Sequence, residues 1–385
     1  MTAATVSHPN ADRLLAARRI VVKIGSALFI EPQTGTLDRA WLDALCEDVA
    51  SLVRDGKEVV IVSSGAVALG ARELGLDIRR ARLEDSQAAA ATGQILLAHA
   101  YQESLRRFGI KTAQVLLTID DSESRKRYLN ATRTLLTLLR HRVVPVVNEN
   151  DTVATQELRY GDNDRLAARV AQMVSAECLV ILSDIDGLYT ADPHADEHAE
   201  HIPEVRRLTA AMFESAGGPG SSHGSGGMRT KLDAARIAMG AGCRMAIASG
   251  RVMRPLDALT RGGRATWFLP RATPSAARKQ WIAGTLKPKG SIRVDAGAER
   301  ALAAGRSLLP AGVVEVDGAF ERGDAVRVLA PDGTELGRGI VGYSADESRA
   351  IAGRRSNDIE AILGYRGRDE MIHRDDLVMS ERDAR

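Results

Sequence analysis

The stretch "RVVPVVNENDTVATQELRYGDNDRLAARVAQMV", Arg142 to Val174, sets the reading of the fold. Its first six residues are an almost unbroken β-branched run, as expected of a strand buried on both faces of a parallel sheet. Its last eleven, from Asp164, place apolar residues at helical spacing. Between them Glu149, Asp151, Glu157, Asp162 and Asp164 crowd beside Asn148, Asn150 and Asn163. Such carboxylates and amides suit a solvated loop, but they begin where a buried strand ends. In open parallel sheets that edge is where ligands gather.

Working outward, the same strand-then-helix unit recurs. "RIVVKIGS" (Arg19–Ser26) precedes "LDRAWLDALCEDVASLVRDG", a helical pattern stopping at Gly56. "EVVIVSSGAVALG" (Glu58–Gly70) passes from strand to helix through two serines and a glycine. "KTAQVLLT", "CLVILSD" and "RMAIASG" add further buried runs. This pattern predicts an α/β domain, a parallel sheet sandwiched by helices, over about residues 15–265. The Pro-, Lys- and Arg-rich "PRATPSAARKQWIAGTLKPKGS" reads as a connector, about 266–289. Beyond it, "GVVEVDG", "DAVRVLAPDG" and "ELGRGIVGYS" alternate over short spans between Gly, Asp and Pro turns. They predict a small β-rich domain at about 290–368, with a barrel as the expected form.

Bulk properties exclude several classes. The chain has 385 residues, 44% hydrophobic and 26% charged, with a net charge of +2. That balance gives no bulk attraction to nucleic acid or anionic membrane. No apolar run is long enough to span a bilayer, and the N-terminal residues lack the apolar core of a secretory signal. Cys46, Cys178 and Cys243 are widely spaced and read as buried residues of a reducing compartment, the cytoplasm by default.

Four turns carry candidate chemistry. Lys23 and Gly25 pair a mobile cation with a backbone N–H open to close approach, which suits a phosphate; a lysine at a strand end before a turn is the plainer reading. Ser64 and Gly65 would aim a hydroxyl and amides at an anion from a helix N-terminus, or simply cap that helix. Ser183 and Asp184 end another strand, and Asp184 with Asp186 caps a turn or meets a nucleotide. "PHADEHAEH" reads as a solvated loop rather than a metal site. "GSGGMRTK" (Gly224–Lys231) puts four small residues before a helix bearing Lys231. Flexible backbone there would wrap a polyphosphate. The order of residues does not match a Walker-type loop, so a different phosphate grip is implied.

Taken in order, "VVKIGS", "VIVSSGAVALG", "VVPVVNENDTVA", "YGDNDRLAA", "LSDIDGLYTADP" and "GSGGMRTK" resemble the amino acid kinase family. The pairing of "NEND" with "GDND" points within it to members that phosphorylate glutamate. The tail, with "SLLPAGVVEVDGAFERGDAVRVL" and "RAIAG", resembles a PUA domain. The resemblance runs from about Arg19 to Asp376, and Ala27 replaces a residue that is often hydroxylic in the family.

The resemblance implies ATP and Mg²⁺, with L-glutamate as acceptor. It assigns Lys23, Lys231 and Asp164 to catalysis. It gives ATP to Lys23, Gly25, Ser183, Asp184 and the loop Ser225, Gly226, Gly227, Met228, Arg229, Thr230 and Lys231. Ser64, Gly65, Asp151 and Asn163 fall to the substrate, with Asp151 holding the ammonium. Asp162 and Asp164 are left to hold Mg²⁺ or orient the lysines, with Asp162 as the metal candidate. Lys23 and Lys231 are expected to flank the phosphoryl group from opposite sides of the sheet edge. The implied setting is proline biosynthesis, with proline as inhibitor, a dimer or tetramer, and hand-over of the acyl phosphate to glutamate-5-semialdehyde dehydrogenase. No histidine falls in these motifs. This suits a carboxylate acceptor, ionised above a pKa of ~4.3 and needing no general base.

Two rivals follow. Another member of the family would act on acetylglutamate, aspartate or a nucleoside monophosphate. An RNA-binding tail would need a basic face, yet Gly290 to Arg368 holds 11 Lys and Arg against 12 Asp and Glu, a net charge of −1.

Overall fold

The computed structural model describes residues 9–31, 34–77, 80–153, 163–193, 195–216, 227–285 and 287–380. The chain forms two compact units, Met1–Pro274 and Ser275–Arg385.

Five parallel strands form the centre of the first unit: β1 (Arg19–Ile24), β2 (Glu58–Ser63), β3 (Lys111–Leu117), β4 (Val143–Glu149) and β5 (Cys178–Ser183). With β6 (Arg244–Ser249), β7 (Ala265–Phe268) and the short strand Glu204–Val205 they make one sheet, ordered β3-β4-β2-β1-β5-β6-β7 and then Glu204–Val205. β7 departs from the expected parallel pattern, running antiparallel to β6. The segment read as a connector therefore supplies most of a sheet strand, and Pro274–Thr285 within it is helical.

Alternation along each strand fills both faces. Val22, Ile24, Ile61, Val180 and Leu182 join one core with Leu42, Leu45 and Tyr101. Val21, Val60, Val62, Leu179 and Ile181 join the other with Leu166, Val170, Leu232 and Ala235. Each such side chain stabilises the fold by about 1.5–3 kcal/mol. On the first face lie α1 (Arg39–Arg54), capped by Asp38 accepting from the Trp41 N–H, and the pair α2 (Ala66–Glu73) and α3 (Leu83–Arg106). On the second, α4 (Asn163–Met173) and α5 (Met228–Gly240) pack together.

Two glycines set the α2–α3 contact. A Cβ on Gly70 would lie 1.7 Å from the Ala89 carbonyl oxygen, and one on Gly93 1.8 Å from that of Ala66. The helices touch backbone to backbone, and any larger residue would force them apart. That contact fixes the first turn of α2, which follows Ser64 and Gly65.

In the second unit, strands Gly290–Val294, Val313–Gly318, Ala325–Leu329, Glu335–Ile340 and Leu377–Met379 form one sheet around Ile292, Val294, Val326, Val328 and Tyr343. Among the described residues this sheet is open, with Val313–Gly318 and Leu377–Met379 as its edges, rather than the closed barrel expected.

Candidate active site

Because the central strands are parallel, the residues that end β1, β2, β4 and β5 share one edge. In register, Ile24 sits beside Ser63 and Leu182, and Ser183 beside Ser249.

Lys23 has the parity of Val21, so its side chain enters the face covered by α4 and α5. There its Nζ lies 2.6 Å from Asp164 Oδ1. Lys231, in the first turns of α5, brings its Nζ to 3.3 Å from Asp164 Oδ2, and Thr230 Oγ1 is 3.1 Å from the same oxygen. All three charged groups are buried: Asp164 is 1% exposed, Lys231 5% and Lys23 7%. The two lysines therefore converge on one carboxylate, each on a different oxygen. Burial opposes ionisation of Asp164, but the two ammonium groups outweigh it and hold its pKa down at about 2. Burial lowers the Lys23 pKa, against the pull of Asp164. Asp164 is the second residue of α4, where a carboxylate also gains from the helix dipole.

The β2 turn needs its glycine. Gly65 has φ of 100°, in the left-handed region, and a Cβ there would lie 2.2 Å from Ile30 Cδ1. Ser64 follows β2, and its Oγ accepts from Asn163 Nδ2 at 2.6 Å, while Asn163 Oδ1 is buried without a partner among the described residues. Gly25 is less constrained: the nearest atoms to an added Cβ are 3.7 Å and 3.9 Å away.

At the end of β4, Asn148 is 3% exposed; its Oδ1 accepts from the Glu149 N–H and its Nδ2 has no partner among the described residues. Asp151 follows in a 3₁₀ turn, and burial alone pushes its pKa from 3.8 up to about 6. Gln94 on α3 braces this end by donating to the Glu149 carbonyl at 3.3 Å. Asn148 is not among the residues that the motifs single out as ligand contacts. Its signal is position: it follows Val147 directly in the strand, before the chain leaves the sheet.

At the end of β5, Ser183 Oγ donates to Asp184 Oδ1 at 2.9 Å, and Arg251 Nε donates to the Asp184 carbonyl at 3.2 Å. Gly227, Met228 and Arg229 open α5. Asp162, Ser225 and Gly226 lie outside the described residues. Among those that are described, no cluster of three or more His, Cys, Asp or Glu side chains suits a metal ion. In the histidine-rich loop, His201 instead packs edge-on against Tyr189 with ring centroids 5.3 Å apart.

A parallel-rich sheet with two lysines and a carboxylate at its strand edge defines the class. Residues 18–249 match the model of the amino acid kinase family, and residues 290–363 match the PUA domain. The chain belongs to the amino acid kinase family. Within it, the chain is 63% identical over 366 residues to "Glutamate 5-kinase" of Paramagnetospirillum magneticum, covering 95% of this chain and 99% of that protein. It is 59% identical over 362 residues to "Glutamate 5-kinase" of Rhodospirillum rubrum, covering 94% and 96%. The protein of the same name in Agrobacterium fabrum is 56% identical over 367 residues, covering 95% and 94%.

Proposed function

We propose that this chain transfers the γ-phosphoryl group of ATP to the γ-carboxylate of L-glutamate, giving L-glutamyl 5-phosphate. The observation that carries the reading is the buried Lys23–Asp164–Lys231 cluster at the strand edge. The relatives' shared name supports the choice of acceptor.

Two anions must meet in line, so the barrier is mainly electrostatic and positional. Asp164 holds both ammonium groups in place before ATP arrives. Each lysine can turn toward a phosphate oxygen without crossing bulk solvent, and little reorganisation remains for the transition state. Thr230 steadies the carboxylate from α5. The glycine-rich turn before Met228, with Ser183 and Asp184, holds the nucleotide. When bound, Mg²⁺ would supply further charge neutralisation for the phosphates. Asp162 is the candidate protein ligand.

At the acceptor end, Asp151 receives the substrate ammonium. A cation there replaces lost solvation and draws the pKa of its carboxylate back down. Asn148 Nδ2 offers a donor that the described residues leave unused. Asn163 Nδ2 donates to both Ser64 Oγ and the Ser63 carbonyl, so the Ser64 hydroxyl proton is available to a substrate carboxylate. The reaction is the first step of proline biosynthesis. Proline, carrying an ammonium and an α-carboxylate, competes for the Asp151 pocket. The enzyme works as a homo-oligomer and passes its acyl phosphate to a reducing dehydrogenase.

An ADP-release assay tests this reading. L-glutamate with ATP and Mg²⁺ should give turnover, whereas aspartate and acetylglutamate should not. Equal turnover with acetylglutamate would move the chain to another branch of the family.

A further inference from the structure

The loop after β5, Asp184 to Tyr189, begins with Asp184, which the reading above places at the nucleotide, and its tethers lie outside the chemical motifs. Thr266, at the centre of β7, is fully buried. Its Oγ1 accepts from the Leu188 N–H at 2.7 Å and donates to the Ile202 carbonyl at 2.6 Å. One hydroxyl thus satisfies two backbone groups from separate segments. Gly187 lies directly against this clamp: a Cβ there would be 2.7 Å from Thr266 Oγ1 and 2.4 Å from His201 Nε2. Arg264, two residues before Thr266, adds an outer tether by donating to Tyr189 Oη at 3.2 Å, while Tyr189 donates to Asp186 at 2.8 Å.

We propose that Thr266 is a positioning residue for nucleotide binding: it fixes the Asp184–Tyr189 loop so that Ser183 and Asp184 meet ATP in one conformation. The inference rests on the reading above that Ser183 and Asp184 contact the nucleotide. Thr266 touches no reacting group and acts only through the loop.

The test compares four full-length variants by steady-state kinetics and thermal melting. Thr266→Val keeps the shape and removes both hydrogen bonds. Its KM for ATP should rise by on the order of tenfold, with KM for glutamate within about twofold of the parent. Thr266→Ser should restore the ATP value, since the hydroxyl returns. Gly187→Ala leaves Thr266 intact but pushes the loop off the clamp, and should show the same ATP-selective rise. It decides the matter should Thr266→Val fail to fold. Asp184→Asn tests the underlying reading separately. A normal KM for ATP in Asp184→Asn removes that reading and this proposal with it. A raised value there, with normal ATP kinetics in folded Thr266→Val or Gly187→Ala, leaves the reading standing and overturns the clamp. A lowered melting temperature with neither KM moved assigns Thr266 a purely structural role, and also overturns it.

Discussion

Asp164 and Asp151 are both carboxylates at the strand edge, in opposite surroundings. Asp164 lies between Lys23 and Lys231, which hold its pKa down at about 2. Burial pushes the Asp151 pKa up to about 6, with no compensating cation among the described residues. Among the same residues, Asn148 Nδ2 and Asn163 Oδ1 lack partners as well. The first region is complete without ligand, as a charge-stabilising device should be. The second is incomplete in the same sense, and its missing partners match those an amino acid brings. On the function proposed above, catalytic preorganisation and substrate recognition are separated within one edge.

The largest expected effect breaks the first region. Lys231→Ala should lower kcat by on the order of 10²-fold or more, with less change in the KM for glutamate. Asp164→Asn should lower kcat at saturating glutamate and ATP by a similar factor. It also leaves two buried ammonium groups without their shared counter-ion, which should destabilise the fold by about 3–5 kcal/mol. Rate and thermal melts on each variant check this. Near-normal kcat in Lys231→Ala would reduce it to a structural lysine.

Next comes the second region. Asp151→Asn should raise the KM for glutamate by a factor equivalent to roughly 2–4 kcal/mol while sparing kcat at saturation. If proline shares the pocket, its inhibition should weaken in parallel. The comparison sharpens in the melts. Because the Asp151 pKa is raised from 3.8 to about 6, the folded protein binds the proton more tightly than the unfolded chain. Its ionised form is therefore a stability cost, fully present above pH 6 and relieved as pH falls from there toward 3.8. Asp151→Asn should then stabilise the ligand-free protein at neutral pH, by about 1–2 kcal/mol once partial exposure is allowed for. Asp164→Asn and Asp151→Asn should thus shift the melting temperature in opposite directions. Losses confined to kcat in both would merge the two regions into one charge cluster.

How far these regions could be read beforehand follows from what is local. The strands β1, β2, β4 and β5 were legible because each is a short continuous Val/Ile/Leu run, and the turns after them because serines, glycines and lysines interrupt that run. Strand order is not local, so nothing in "RATWFLP" announced that Ala265–Phe268 would insert antiparallel beside β6. The convergence of Lys23 and Lys231 on Asp164 was open only as one of two roles that the resemblance left to Asp162 and Asp164, because the contact itself depends on strand parity and on two helices sharing one face. The Gly70–Gly93 contact pairs glycines from different helices, and each alone looks like an ordinary helix glycine. The open form of the second sheet depends on pairings between strands distant in sequence.

The smallest expected effect concerns the second unit. The Lys23–Asp164–Lys231 cluster, the Ser64–Asn163 pair, Asn148, Asp151 and Ser183 all lie between residues 23 and 231, within Met1–Pro274. The unit Ser275–Arg385 has its own core around Ile292, Val326 and Tyr343. A chain ending at Pro274 should therefore keep measurable glutamate-dependent ADP release, with KM values for both substrates within a few-fold of the full chain. Proline sensitivity and oligomeric state are where a change should appear, measured by inhibition curves and light scattering on the same preparation. Parallel salt-titrated RNA binding by full-length and shortened chains should differ little, because Gly290 to Arg368 carries a net charge of −1. A shortened chain that melts cooperatively yet shows no turnover would place part of the chemistry in the second unit, and the division between Asp164 and Asp151 would no longer describe the whole site.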